Sequence, residues 1–197
     1  MLNRLRVRAL AVVLAGVPIL AGCSIGTDAV AQGGTFEFVS PGGKTDIFYD
    51  PPPSRRVIGD LGGIALMDYR PIAVSDFAGK VVVVNVWGAW CAPCRTETPE
   101  LEKVFTATEP LGVAFLGVDV RDNRATAQDF VTDRHVMHPS IFDPAMRSVI
   151  ALGKGYPTSV VPTTLILDRH RRVAAVFLKE LLATDLQPVV ERIAAES

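Results

Sequence analysis

Val81-Val82-Val83-Val84-Asn85-Val86-Trp87 is a nearly continuous β-branched run holding a single amide. A strand with one wet face would alternate apolar and polar positions, so this run predicts a strand covered on both faces. Residues 112–119 read as a second buried strand. Thr163–Leu167 and Val173–Phe177 read as two more, joined by the polar turn Asp168-Arg169-His170-Arg171-Arg172. Helical patterns fall between the strands. One starts just after Cys91, where Pro93 is tolerated in the first turn. Residues 124–134 and 145–152 carry two more, with Phe142-Asp143-Pro144 as a break. Residues 184–195 place Leu186, Val189, Val190 and Ile193 at helical spacing, with Thr184 as the expected N-cap. Ahead of these, the β-rich runs 35–39 and 45–49 flank Ser40-Pro41-Gly42-Gly43-Lys44, which predicts a hairpin. Pro51-Pro52-Pro53 then stiffens the entry to a main α/β domain over 57–197.

The first residues follow another pattern. Arg4, Arg6 and Arg8 precede an apolar run from Ala9 to Leu20, and small residues lead on to Cys23. A basic start, a short apolar stretch and a small-residue exit describe a secretory signal peptide over 1–22. The run is too short to cross a bilayer, which needs about 20 residues. As a buried N-terminal helix it would leave three arginines and no polar face. Leu20-Ala21-Gly22-Cys23 resembles the lipobox of bacterial lipoproteins, which implies cleavage before Cys23 and lipid on its thiol. Two or more acyl chains hold a protein at a membrane where one is marginal. The alternative is an ordinary signal-peptidase site near Ala21 with Cys23 left free. Residues 24–34 (SIGTDAVAQGG) have no period and read as a tether with a reach of roughly 20 Å. The expected layout is thus a signal peptide over 1–22, a tether with the hairpin over 23–56, and the domain over 57–197.

Composition narrows the chemistry. The net charge is −1, which gives no electrostatic case for nucleic acid. Three cysteines leave one odd thiol after pairing, and lipid on Cys23 would dispose of it. The other two lie in Trp90-Cys91-Ala92-Pro93-Cys94, where a buried strand turns into a helix. A thiol at a helix N-terminus faces unpaired N–H groups and the positive end of the dipole, so its thiolate is stabilised. Cys91 is therefore the expected nucleophile. Cys94, about one turn on, is placed to attack a mixed disulfide at Cys91 and release the product. Two other readings compete. A zinc site wants four ligands, and this chain adds only His135, His138 and His170, all remote in sequence and with no second CxxC. A structural bridge across two residues closes too small a loop to stabilise much. Exchange through the pair needs no cofactor and no metal.

The stretch Phe77 to Pro99 (FAGKVVVVNVWGAWCAPCRTETP), with Val161-Pro162-Thr163-Thr164 downstream, resembles the extracytoplasmic thioredoxin-like proteins of the TlpA, ResA and CcmG type. The resemblance covers about residues 57–197. It implies a thioredoxin-like fold, with a central mixed β-sheet flanked by helices and an inserted helix and strand between Asp119 and Leu152. It also implies that Pro162 is the cis-proline facing the CxxC, so that Val161 offers its backbone to an extended substrate beside Trp90, Ala92 and Pro93. Glu97 matches an acidic residue that the ResA-like proteins keep three positions after the second cysteine. At that spacing it shares a helix face with Cys94, to move protons or contact substrate, or it serves only the helix dipole. Asn85 stands where cytosolic thioredoxin has a buried Asp, and an amide cannot act as a base. Trp87 and Trp90 read as packing and shielding of the site rather than stacking platforms.

The dipeptide Ala92-Pro93 brings no charge and no donor to the Cys91 thiolate, whereas a strong oxidant of the DsbA kind stabilises its reduced form heavily. The expected role is that of a lipoprotein on the outer face of the cytoplasmic membrane. There it would reduce apocytochrome c for haem attachment, with electrons from a membrane thiol carrier of the CcdA or DsbD type. Two rivals stay open: an oxidant that inserts disulfides into exported proteins, and a copper-binding module, whose relatives use wider cysteine spacing.

Overall fold

A computed structural model describes residues 35–196 of the chain. The expected signal peptide over 1–22, lipid site at Cys23 and tether over 24–34 lie outside the described residues. Among the described residues no helix is long and apolar enough to cross a membrane.

The centre is a six-stranded mixed sheet. Strand β1 is Asp46–Phe48, β2 is Gly62–Ile64, β3 is Pro71–Ala73 and β4 is Val81–Trp87. Helix α1, Ala92–Thr108, leads to β5, Val113–Val120, and α2, Arg124–Asp133, leads to β6, Ser140–Asp143. Then come β7, Thr163–Leu167, β8, Val173–Phe177, and helix α3, Ala183–Ala194. The spatial order is β1-β8-β7-β4-β5-β6, with β2 and β3 pairing separately as a small hairpin. Strands β4, β5 and β6 run parallel, and β7, β8 and β1 follow on the other side of β4, each antiparallel to the strand before it. All seven residues of β4 are buried, as its nearly continuous apolar run predicts. Val81 and Val83 face a layer built with Leu101 and Val104 of α1 and Leu186, Val190 and Ile193 of α3. Val82, Val84 and Val86 face the opposite layer. That layer is closed not by an α-helix but by irregular segments carrying Phe36, Ile58 and Leu61 and by a 3-10 turn carrying Val149 and Leu152.

Three local expectations need correction. The hairpin over 35–49 does not form. Residues 46–48 instead pair with the open edge of β8, Ile47 opposite Val176, which buries Ile47. Phe36 and Phe38 donate their amides elsewhere, to the carbonyls of Val57 and Lys154. Each run gains more by completing an existing layer than by pairing with the other. Residues 35–56, left outside the 57–197 domain in the expected layout, pack on it, with Phe36 and Ile47 in its core. Over 145–152 there is no α-helix, because Asp143 ends β6 and accepts the amides of Arg147 and Ser148, leaving only the 3-10 turn Ser148–Leu152. Helix α3 starts one residue before Thr184, and the Asp185 carboxylate, not the Thr184 hydroxyl, accepts the Leu182 amide.

Arg55 fastens this arrangement. Its side chain is wholly buried, and it bonds Asp50, Asp168 and Glu196 as well as the Tyr49 carbonyl. One guanidinium thus joins the N-terminal arm, the β7–β8 turn and the end of the chain. Breaking a fully buried ion pair costs about 3–5 kcal/mol. Asp50 and Glu196 keep contact with water, however, and Asp168 keeps Arg172. Losing Arg55 should therefore cost about 1.5–3 kcal/mol, the worth of a hydrogen-bonded charge. Arg55→Met should lower the unfolding free energy by that order in equilibrium denaturation. A loss below about 1 kcal/mol would mean that the cluster behaves as a surface pair.

Candidate active site

The site is built where β4 gives way to α1. Trp87 is the last strand residue, and Gly88 follows with no room for a Cβ, which would run into the Trp90 indole. Trp90 folds back over the end of β5, its Nε1 donating to the Val120 carbonyl at 2.9 Å. Cys91 is the N-cap of α1, and its Sγ accepts the Cys94 amide at 3.2 Å. It thereby takes up one of the N–H groups that a helix start leaves without a partner. Pro93 sits in the first turn, where its missing N–H removes nothing the helix needs. Cys91 and Cys94 are joined as a disulfide, with Cα atoms 5.3 Å apart.

The two cysteines are almost equally covered, 3% and 1% exposed, so accessibility does not single out the nucleophile. Position does. Cys91 Sγ lies at the helix start and 3.7 Å from the Val161 carbonyl, and the Val161–Pro162 peptide is cis. Trp90 is half exposed, Ala92 and Pro93 are exposed, and Val161 is partly so. Trp90 on one side and Val161 on the other border the surface in front of the sulfurs.

Glu97 lies beneath. It is buried on the inner face of α1, one Oε accepting Asn85 Nδ2 at 2.9 Å and the other accepting the Leu181 amide at 3.1 Å. Asn85 gives its other hydrogen to Thr164 Oγ1 at 3.0 Å. Burial lifts the Glu97 pKa to about 7, the two hydrogen bonds offsetting part of that rise and Glu180 adding a little to it. A carboxyl that titrates near neutrality is suited to exchange protons with thiols.

Sequence reading missed two groups here. Asp119, at the end of β5 and opposite Trp87, is fully buried, and neither carboxylate oxygen has a partner among the described residues. Burial, with Asp122 and Asp143 nearby, pushes its pKa to about 8 against the pull of Arg124. Asp122 is the other, its carboxylate taking the Ala89 amide at 2.7 Å just ahead of the cysteines. Both stand in the stretch Asp119-Val120-Arg121-Asp122, but nothing in its composition separates a buried carboxylate from a solvated one.

Because the folded state holds a proton on Glu97 up to about pH 7, whereas an ordinary Glu loses it near 4.5, folding binds protons between those values. Stability contributed by the neutral carboxyl is therefore complete below pH 4.5 and falls as pH rises towards 7. Glu97→Gln removes this dependence. In the oxidised protein, its stability relative to the parent should rise by up to about 3 kcal/mol across that window, measured by denaturation at several pH values. A difference constant with pH would show that Glu97 does not titrate there.

The family model for Redoxin matches residues 64–192. A secreted thiol-disulfide isomerase from Corynebacterium glutamicum superposes with a TM-score of 0.80 and 45% identity, covering 83% of this chain and 100% of that one. A DsbF homologue from Corynebacterium diphtheriae gives 0.76 and 44%, covering 81% and 99%. The thiol-disulfide oxidoreductase ResA of Geobacillus thermodenitrificans is 27% identical over 137 residues, 70% of this chain and 73% of that protein. With a CxxC disulfide at the start of α1 in a thioredoxin-like fold, the chain belongs to the Redoxin family and is a thiol–disulfide oxidoreductase.

Proposed function

We propose that the protein works outside the cytoplasm as a reductant of protein disulfides, with the Cys-x-x-Cys-His disulfide of apocytochrome c as its substrate. The observation that carries this reading is the environment of Cys91. Its sulfur has the helix start and the Cys94 amide to stabilise a thiolate, and the intervening Ala92-Pro93 adds no charge. Modest stabilisation of the reduced form means a dithiol that gives up its electrons readily. Likeness to the ResA thiol-disulfide oxidoreductase supports exchange chemistry at this pair.

In the reducing direction, the Cys91 thiolate attacks one sulfur of the substrate disulfide and the other leaves as a thiolate. Cys94, giving its proton to the Glu97 carboxylate, then attacks Cys91 and releases the substrate as a dithiol. Two electrons pass to the substrate and the Cys91–Cys94 disulfide forms. A membrane thiol carrier of the CcdA or DsbD type resets the pair. A lipid on Cys23 would confine both partners to one thin layer and raise their effective concentration. A second reading, disulfide insertion or reshuffling in exported proteins, draws support from the likeness to the secreted isomerase.

Cys94→Ser should trap a mixed disulfide at Cys91 with an oxidised Cys-x-x-Cys-His peptide, whereas Cys91→Ser should give no adduct. Mass spectrometry of the tryptic fragments reads the linkage, and an adduct through Cys94 in the Cys91→Ser protein would reverse the assignment. Run on cell membranes, the same adduct should sediment with the membrane, and Cys23→Ala should either release it or leave the protein as an uncleaved precursor. An adduct equally soluble with and without Cys23 would remove the anchor.

A further inference from the structure

Arg121 is the first residue after β5, and its backbone stands in the left-handed region at φ 54°. Glycine occupies that region without steric cost, and an arginine does not. A strained backbone under a long charged side chain directs attention to what the side chain does. Its guanidinium carbon lies 5.5 Å from the centre of the Trp90 ring, a cation–π distance. One Nη donates to the Thr158 carbonyl, and Nε sits 3.1 Å from Sδ of Met146, itself at φ 55°.

These contacts tie together the two rims of the site. Trp90 immediately precedes Cys91, and its indole N–H is already held by Val120, the residue before Arg121. Asp122, the residue after, holds the Ala89 amide. Three consecutive residues at the end of β5 thus grip the Ala89-Trp90 approach to the cysteines. Arg121 alone also reaches across to Thr158, three residues before Val161, whose carbonyl faces Cys91 Sγ.

We propose that Arg121 is a positioning residue for the protein substrate: its guanidinium sets the separation between Trp90 and the segment ending at Val161, between which an extended substrate chain lies. The proposal rests on the reading that Trp90 and Val161 border the substrate. A small disulfide needs only the sulfurs and has no use for the spacing of the rims. A peptide disulfide needs both, because it pairs along the Val161 backbone and packs against Trp90. Lysine keeps the charge but lacks the flat, forked head that stacks and donates in two directions at once.

The test compares steady-state reduction of an oxidised Cys-x-x-Cys-His peptide with that of bis(2-hydroxyethyl) disulfide, using wild type, Arg121→Gly and Arg121→Lys. Glycine is chosen because it suits the left-handed backbone, so Arg121→Gly should keep its thermal midpoint while losing the side chain. For both variants the KM for the peptide should rise about three- to tenfold, the worth of one or two lost polar contacts, with kcat within about twofold. The rate with the hydroxyethyl disulfide should not change. An unchanged peptide KM in both variants, beside a wild type that prefers the peptide, would overturn the role of Arg121 alone. Equal losses on both probes would also overturn it, by placing the effect on the sulfur chemistry. A wild type with no preference for the peptide would overturn the reading of the substrate surface, and this proposal with it.

Discussion

Strand β4 is buried along its whole length, and the redox pair stands directly on its end. Anything polar inside that layer must find its partners there, because an unpaired buried polar group costs on the order of 1–3 kcal/mol. Asn85 meets the requirement by giving its two amide hydrogens to Glu97 and Thr164, which bonds α1 and β7 to the middle of β4. Glu97 completes the arrangement through the Leu181 amide at the approach to α3. The floor of the site is thus one connected set of hydrogen bonds. Its geometry holds α1, and with it Cys91 and Cys94, in a fixed relation to the cis-proline strand.

The same burial supplies the chemistry. A carboxyl held in a dry layer by two donors keeps its proton to about neutral pH, so Glu97 is available both to hold and to accept a proton. Asn85 cannot take that part, since an amide does not titrate, but it orients the group that does. Asp119 shows the contrasting case. Both its oxygens lack partners among the described residues, and burial, with Asp122 and Asp143 nearby, holds its proton to about pH 8. Cys91 differs from both in drawing its stabilisation from backbone, at the cap of α1, and from no side-chain charge in the intervening dipeptide.

Much of this was legible in the sequence wherever a local pattern decides the outcome. The nearly continuous run 81–87 specifies a doubly covered strand, and Pro93 within a CxxC specifies the first turn of a helix. Asn85 and Glu97 came instead through the family resemblance, Glu97 by its place three residues after Cys94 and Asn85 as the amide where cytosolic thioredoxin has an Asp. The pairing of β1 with β8 was not legible, because three residues with turn signals before them fit a hairpin as well as a sheet edge. The choice falls to the layer that Ile47 completes. Asp143 and Arg121 were hidden for a related reason. A carboxylate that caps a turn and an arginine in a left-handed backbone look, in sequence, like ordinary solvated charges.

The central claim is the direction in which the pair passes electrons, and the reduction potential of Cys91–Cys94 tests it most directly. It is measured by equilibrating the protein with defined glutathione buffers and counting the thiols. An uncharged dipeptide and a thiolate held by backbone alone predict a value at or below about −230 mV, on the thioredoxin side of glutaredoxins. A value near about −120 mV, that of a dedicated oxidant, would contradict the account.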